Sequence, residues 1–168
     1  AIIIIFLFSF FTGFFVPAPP LLEARILDFI EELLIKTEAM SFGELIRFIF
    51  FNNLQSSFTG MLFGIILGIF PLLASLANGY LLGFVASRTA GEEGIFILWR
   101  LLPHGIFELP ALFISLGLGL KLGTFVFKEK KLKTLNIYLM KSIKVFFFVV
   151  IPLLIIAAII EGSLVFLF

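Results

Sequence analysis

FIFFNNLQSSFTGMLFGIILGIFPLLASLANGYLLGFVAS, residues 48–87, runs for 40 residues without one charged side chain. A helix needs about 20 residues to cross the hydrocarbon core of a bilayer, so this stretch is long enough to cross twice. Its apolar residues are continuous rather than alternating, which selects helix over strand. The expected break between the two spans is a tight turn near Phe70-Pro71.

The same signal extends outward. The chain of 168 residues is 61% hydrophobic, with a mean hydropathy of +1.23. Soluble domains are about half apolar or less, so the expected class is all-α: one polytopic transmembrane bundle over 1–168, without a separate soluble domain. Five spans are expected, at about 1–16, 48–70, 71–87, 96–122 and 145–168. The first reads as a retained helix rather than as the apolar part of a signal peptide, because it has no basic flank. It stops at Pro17 and the Pro19-Pro20 pair.

Residues 21–39 read as an amphipathic helix. Leu22, Ile26, Ile30, Leu33 and Leu34 share one face and the charges another. Ser41 and Glu44 fit a capping box that opens the next helix. RTAGEEG, 88–94, reads as a polar loop, and Pro103 and Pro110 as breaks that leave a half-helix. A lysine-rich loop or surface helix is expected over about 121–144, with seven lysines and one acid between Lys121 and Lys144. Residues 17–47 hold six acids against three basic residues. Since Lys and Arg favour the inner side, the lysine loop is expected in the cytoplasm and 17–47 outside, in a multi-pass protein of the cell membrane.

This topology sets the depth of each polar residue, at about 1.5 Å per helical residue. Asn52, Asn53, His104, Glu108 and Glu161 fall in one layer near the outer surface, and Asn78 near mid-depth. Intramembrane polar groups are costly unless paired, and they face the protein interior or a polar cavity. His104, the sole histidine, lies four residues before Glu108, on one helical face with Arg100 if the helix is continuous. Three readings remain open. His104, Glu108 and Glu161 are expected metal ligands for a divalent ion such as zinc, with Asn52, Asn53 and Asn78 as a supporting polar cluster. The same groups could pass protons or cations, or they could simply tie helices together by hydrogen bonds.

Small residues recur every four positions: Ser56, Gly60, Gly64, Gly68; then Gly79, Gly83, Ser87; then Ala111, Ser115, Gly119, Gly123. Such faces let helices approach closely, either inside one chain or between copies in a homo-oligomer. Without cysteine there is no disulfide, thiolate metal site or thiol nucleophile. The serine-hydrolase elbow, the zinc-protease helix motif and the phosphate-binding glycine loops are absent from the sequence, so a non-enzymatic protein is expected. A net charge of +1 gives no electrostatic basis for a nucleic-acid partner.

The strings FNNLQSSFTGMLFGIILGI (51–69), ANGYLLGF (77–84) and LLPHGIFELPAL (101–112), with the late glutamate of IIAAIIEG (155–162), resemble the stage II sporulation protein M family of integral membrane proteins. The resemblance covers almost the whole chain. Asn52, Asn53, Asn78, Gly79, Pro103, His104, Glu108 and Glu161 match its motif. In sporulating bacteria the family is linked to engulfment, beside peptidoglycan-degrading partners. The resemblance therefore implies a scaffold that recruits membrane or envelope proteins, with hydrolytic chemistry in other chains. The family also occurs widely among prokaryotes that do not sporulate.

Overall fold

The computed structural model describes residues 1–94 and 102–167, with the side chains of 93, 102–104 and 167 outside what it describes. Arg100 therefore lies outside the described residues, as does the expected start of a span at 96. Among the described residues the chain is helical, with no strand. Its helices are α1 (Ile2–Phe15), α2 (Pro20–Glu38), α3 (Phe42–Leu62), α4 (Ile69–Glu93), α5 (Leu102–Gly123), α6 (Lys131–Val145) and α7 (Ile151–Leu167).

Proline and capping chemistry set the first boundaries. Val16, just before Pro17, is extended, as a residue before proline prefers. Pro20 then opens α2 at its first position, where the missing N–H costs nothing. The chain turns by 104° between α1 and α2. The expected capping box is present: the Ser41 amide and hydroxyl both donate to Glu44 Oε2, at 2.9 and 2.5 Å. The Ser41 hydroxyl, then its amide, holds the Glu44 carboxyl below its usual titration range.

Three boundaries differ from the sequence expectation. The turn expected at Phe70-Pro71 lies earlier, at 63–68, where Leu67 and Gly68 take left-handed φ values of 53° and 71°. Pro71 sits instead in the first turn of α4, where proline is tolerated. The 88–94 segment is mostly not a loop, because α4 continues through Glu93. Arg88 pairs there with Glu92 one turn on (3.3 Å) and with Glu23 of α2 (2.8 Å). Pro110 does not break α5, which runs on through it. The lysine-rich 121–144 segment takes the helical one of its two expected forms: one tight turn at Thr124–Phe127, then α6. A π-helical turn, Phe146–Val150, carries α6 into α7. Pro152 follows it, and its ring would clash with the carbonyl four residues back in a regular α-helix.

Contacts fix the helix directions. Ser75 reaches the Ile2 carbonyl and Ser9 the Leu76 carbonyl, while Gly83 abuts Phe10, so α1 and α4 are parallel. Ser115 donates to the Ser57 carbonyl and Gly64 abuts Gly119, so α3 and α5 are parallel. Gly162 meets Ile46 and Phe146 meets Phe58, so α7 opposes α3. One end of the bundle thus carries the 63–68 turn and the lysines. The other carries α2, the end of α4 and the start of α5.

The small-residue stripes lie inside the chain. A Cβ at Gly13, Gly79 or Gly83 would strike backbone across the α1/α4 seam. One at Gly64, Gly119 or Gly123 would do so between α5 and the end of α3 with its following turn. On α3 the buried serine is Ser57, not Ser56, which is exposed. Two larger clusters complete the core, one around Met61, Leu122, Val150 and Leu154, the other around Phe6 and Leu116.

Among the described residues three stretches are long and apolar enough to cross a bilayer: 69–92, 105–127 and 131–166. The bent α1–α2 pair counts as a fourth if it is one broken span. At 36 residues, α6–α7 is about 54 Å long, well beyond a hydrocarbon core of about 30 Å. α3 is not in this set, because Arg47, Asn52, Asn53 and Gln55 dilute its apolar residues.

Candidate functional site

The expected polar layer resolves into three separate places. α5 packs on α7, and near the α2 end their carboxyl groups, Glu108 and Glu161, lie within electrostatic reach of each other. Register explains the meeting. Ser57 and Ser115 are level, so two turns back along the parallel helices Glu108 lies level with Phe50. Gly162 packs against Ile46, so Glu161 lies about one helical turn, roughly 5 Å, from the same depth.

Both glutamates are half-buried as residues. The Oε2 atom of Glu161 is fully buried and has no hydrogen-bond partner among the described residues. Beneath it lies an apolar cluster of Leu45, Ile49 and Ala158. Two half-buried carboxyls within electrostatic reach of each other, one with a buried oxygen, favour a counter-charge: a shared proton, a cation or a cationic side chain.

His104 lies one turn before Glu108 on α5, and its side chain is outside the described residues. Among the described residues no group of three or more His, Cys, Asp or Glu side chains could hold a metal ion. Asn53 is half-buried on the inner face of α3, in phase with Ile49, Ser57 and Gly60. It sits one turn further along than Phe50, toward the bundle centre.

Asn52 and Asn78 do not join this place. Asn52 is exposed on the outer face of α3. With Lys36, Glu44, Arg47, Phe48, Phe51 and Gln55 it lines an open cleft of about 420 Å³. Asn78 spends its Nδ2 on the Ala74 carbonyl of its own helix, at 2.8 Å, beside the Gly79 crossing with α1. Helical phase was the signal that separates the paired asparagines: neighbours on a helix point about 100° apart, so Asn52 goes with Ser56 and Thr59.

A sequence model of the family described as "Stage II sporulation protein M" matches residues 2–164. An uncharacterized protein of Methanocaldococcus jannaschii is 34% identical over 118 residues, which are 67% of this chain and 53% of that protein. The chain therefore spans about half the length of that curated relative. No solved structure matches.

Proposed function

Because the chain belongs to the stage II sporulation protein M family, we propose that it is a non-enzymatic, multi-pass protein of the cell membrane whose Glu108–Glu161 pair holds a cation within the bundle. The observation that carries this reading is the buried Glu161 oxygen, which has no partner among the described residues and lies within electrostatic reach of a second carboxyl. His104, one turn along α5, is the third ligand. Two carboxylates and an imidazole suit a divalent ion such as zinc. Such an ion supplies the counter-charge that lets both carboxylates stay ionised, and it ties α5 to α7. The same site would serve as a station for a transported cation. The lysine end faces the cytoplasm and α2 the outside, by the bias of basic residues toward the inner side.

The test is elemental analysis of detergent-purified protein, with His104→Ala, Glu108→Gln and Glu161→Gln alongside. One transition-metal ion per chain, lost in all three folded variants, is the expected result. Metal-free wild type, not stabilised by added zinc, would overturn the metal reading.

A second reading is favoured by α2, which contributes no buried residue to the bundle and exposes Leu21, Phe29, Leu34 and Ile35. In it the chain is a scaffold, with α2 recruiting membrane or envelope partners and the carboxyl pair holding the fold. Scrambling 21–38 would then abolish partner capture, while folded His104 variants keep it.

A further inference from the structure

The outer surface of the bundle is apolar along its flanks: Ile3, Leu7 and Phe11 on α1, Leu73 and Leu76 on α4, Ile155, Ile156 and Ile159 on α7. α3 breaks this pattern. Its outward face carries Asn52, Gln55, Ser56 and Thr59, all exposed, at spacings that put them on one side of the helix. Glu44 and Arg47 stand above them at the α2 end. Phe51, Phe58 and Phe63 flank the stripe and are also exposed. These four polar side chains lie about 6–17 Å below Phe48 along the helix axis, deep enough to meet hydrocarbon. Exposed amides there are costly unless another helix satisfies them. The inner face of the same helix is already used, by Ile49, Ser57, Gly60 and Gly64.

We propose that this outward polar face of α3 is the interface of a homodimer, covered by α3 of a second copy. The chemistry is self-complementary. Two copies in one membrane share an orientation, so a two-fold axis along the membrane normal brings equal depths together. Asn52 then meets Asn52 and Gln55 meets Gln55. Each carboxamide both donates and accepts, so identical amides pair without a different partner. Glu44 and Arg47 are oppositely charged and about 4.5 Å apart in depth, so each reaches the other's counterpart across the axis. The glycine stripes, the other candidates for such an interface, are used within the chain.

The natural chain has no cysteine, so single-cysteine variants report on the face directly. Gln55→Cys and Thr59→Cys are oxidised in native membranes beside Ile159→Cys, which sits on the exposed apolar face of α7. The expected result is a disulfide-linked dimer for the first two and monomer for the third. Asn52→Leu/Gln55→Leu leaves the inner face untouched; in detergent it is expected to shift the protein from dimer to monomer in light scattering while keeping its thermal transition. Three results would overturn the proposal: equal cross-linking at all three positions, a monomeric wild type whose Gln55→Cys links to other proteins, or rapid labelling of Gln55→Cys by a membrane-impermeant maleimide, which would make the face a water-lined path.

Discussion

The α3/α5 seam and the α5/α7 carboxyl contact share a helix and lie within a few turns of each other, yet they hold together on opposite terms. At the seam, Gly64, Gly119 and Gly123 bring backbone against backbone. Lipid tails are as apolar as leucine, so this contact gains from close packing rather than from water released. At the other end, two carboxyls and a buried oxygen interrupt an apolar cluster. The seam gains from packing alone, whereas two neighbouring carboxyls must share a proton or find a counter-charge.

The largest expected effect lies at the seam. Gly119→Val inserts a branched side chain where even a Cβ would stand 2.8 Å from the Gly60 carbonyl and 3.0 Å from the Met61 backbone. Neither neighbour is a side chain that can swing away, so the helices must separate, at a cost of about 3 kcal/mol or more. Gly117, on the same helix, has open space around it. Gly117→Ala is expected to raise stability, by up to about 1 kcal/mol. Thermal unfolding in detergent checks both, and equal losses from the two would end the steric account of the seam.

The next effect lies at the carboxyls. Glu161→Gln replaces a carboxyl by a neutral amide, so metal-free protein is expected to gain on the order of 1 kcal/mol at alkaline pH, where both carboxyls would otherwise ionise. The same variant is expected to lose any stabilisation by added zinc that wild type shows. A destabilised, zinc-insensitive pair of proteins would instead make Glu161 an ordinary tether between helices. The two contacts would then differ less than their chemistry suggests.

These two regions were unequally legible in the sequence. The seam could be read because its signal is local: small residues at four-residue spacing on a helix define a face whatever lies opposite. The capping box at Ser41 and Glu44 was legible for the same reason. Which helix each stripe meets was not, and Ser57 took the place read for Ser56 because a stripe drifts around a helix of 3.6 residues per turn. Proline misled twice, since Pro71 is harmless in a first turn and α5 carries Pro110 within its length. The meeting of Glu108 with Glu161 is a tertiary fact that follows from the directions of α5 and α7. Depth alone put Asn52 with them, whereas helical phase sends it outward; Asn78, expected near mid-depth as a supporting group, is occupied by its own helix's backbone.

The smallest effect sharpens the comparison most. Ser115 is fully buried in the seam and donates to the Ser57 carbonyl, the one place where a polar side chain bridges α3 and α5 among the described residues. If close packing holds the seam, Ser115→Ala keeps the Cβ, fits the same space and forfeits a single hydrogen bond. Within membrane bundles such a bond is worth about 0.6 kcal/mol. The carbonyl of Ser57 already accepts a helical hydrogen bond, so nothing is left orphaned. A loss near that size, well below that of Gly119→Val, keeps sterics dominant at the seam. A loss as large as that of Gly119→Val would mean that the seam, like the carboxyl contact, is organised around a polar group, and the contrast between the two would rest on charge alone.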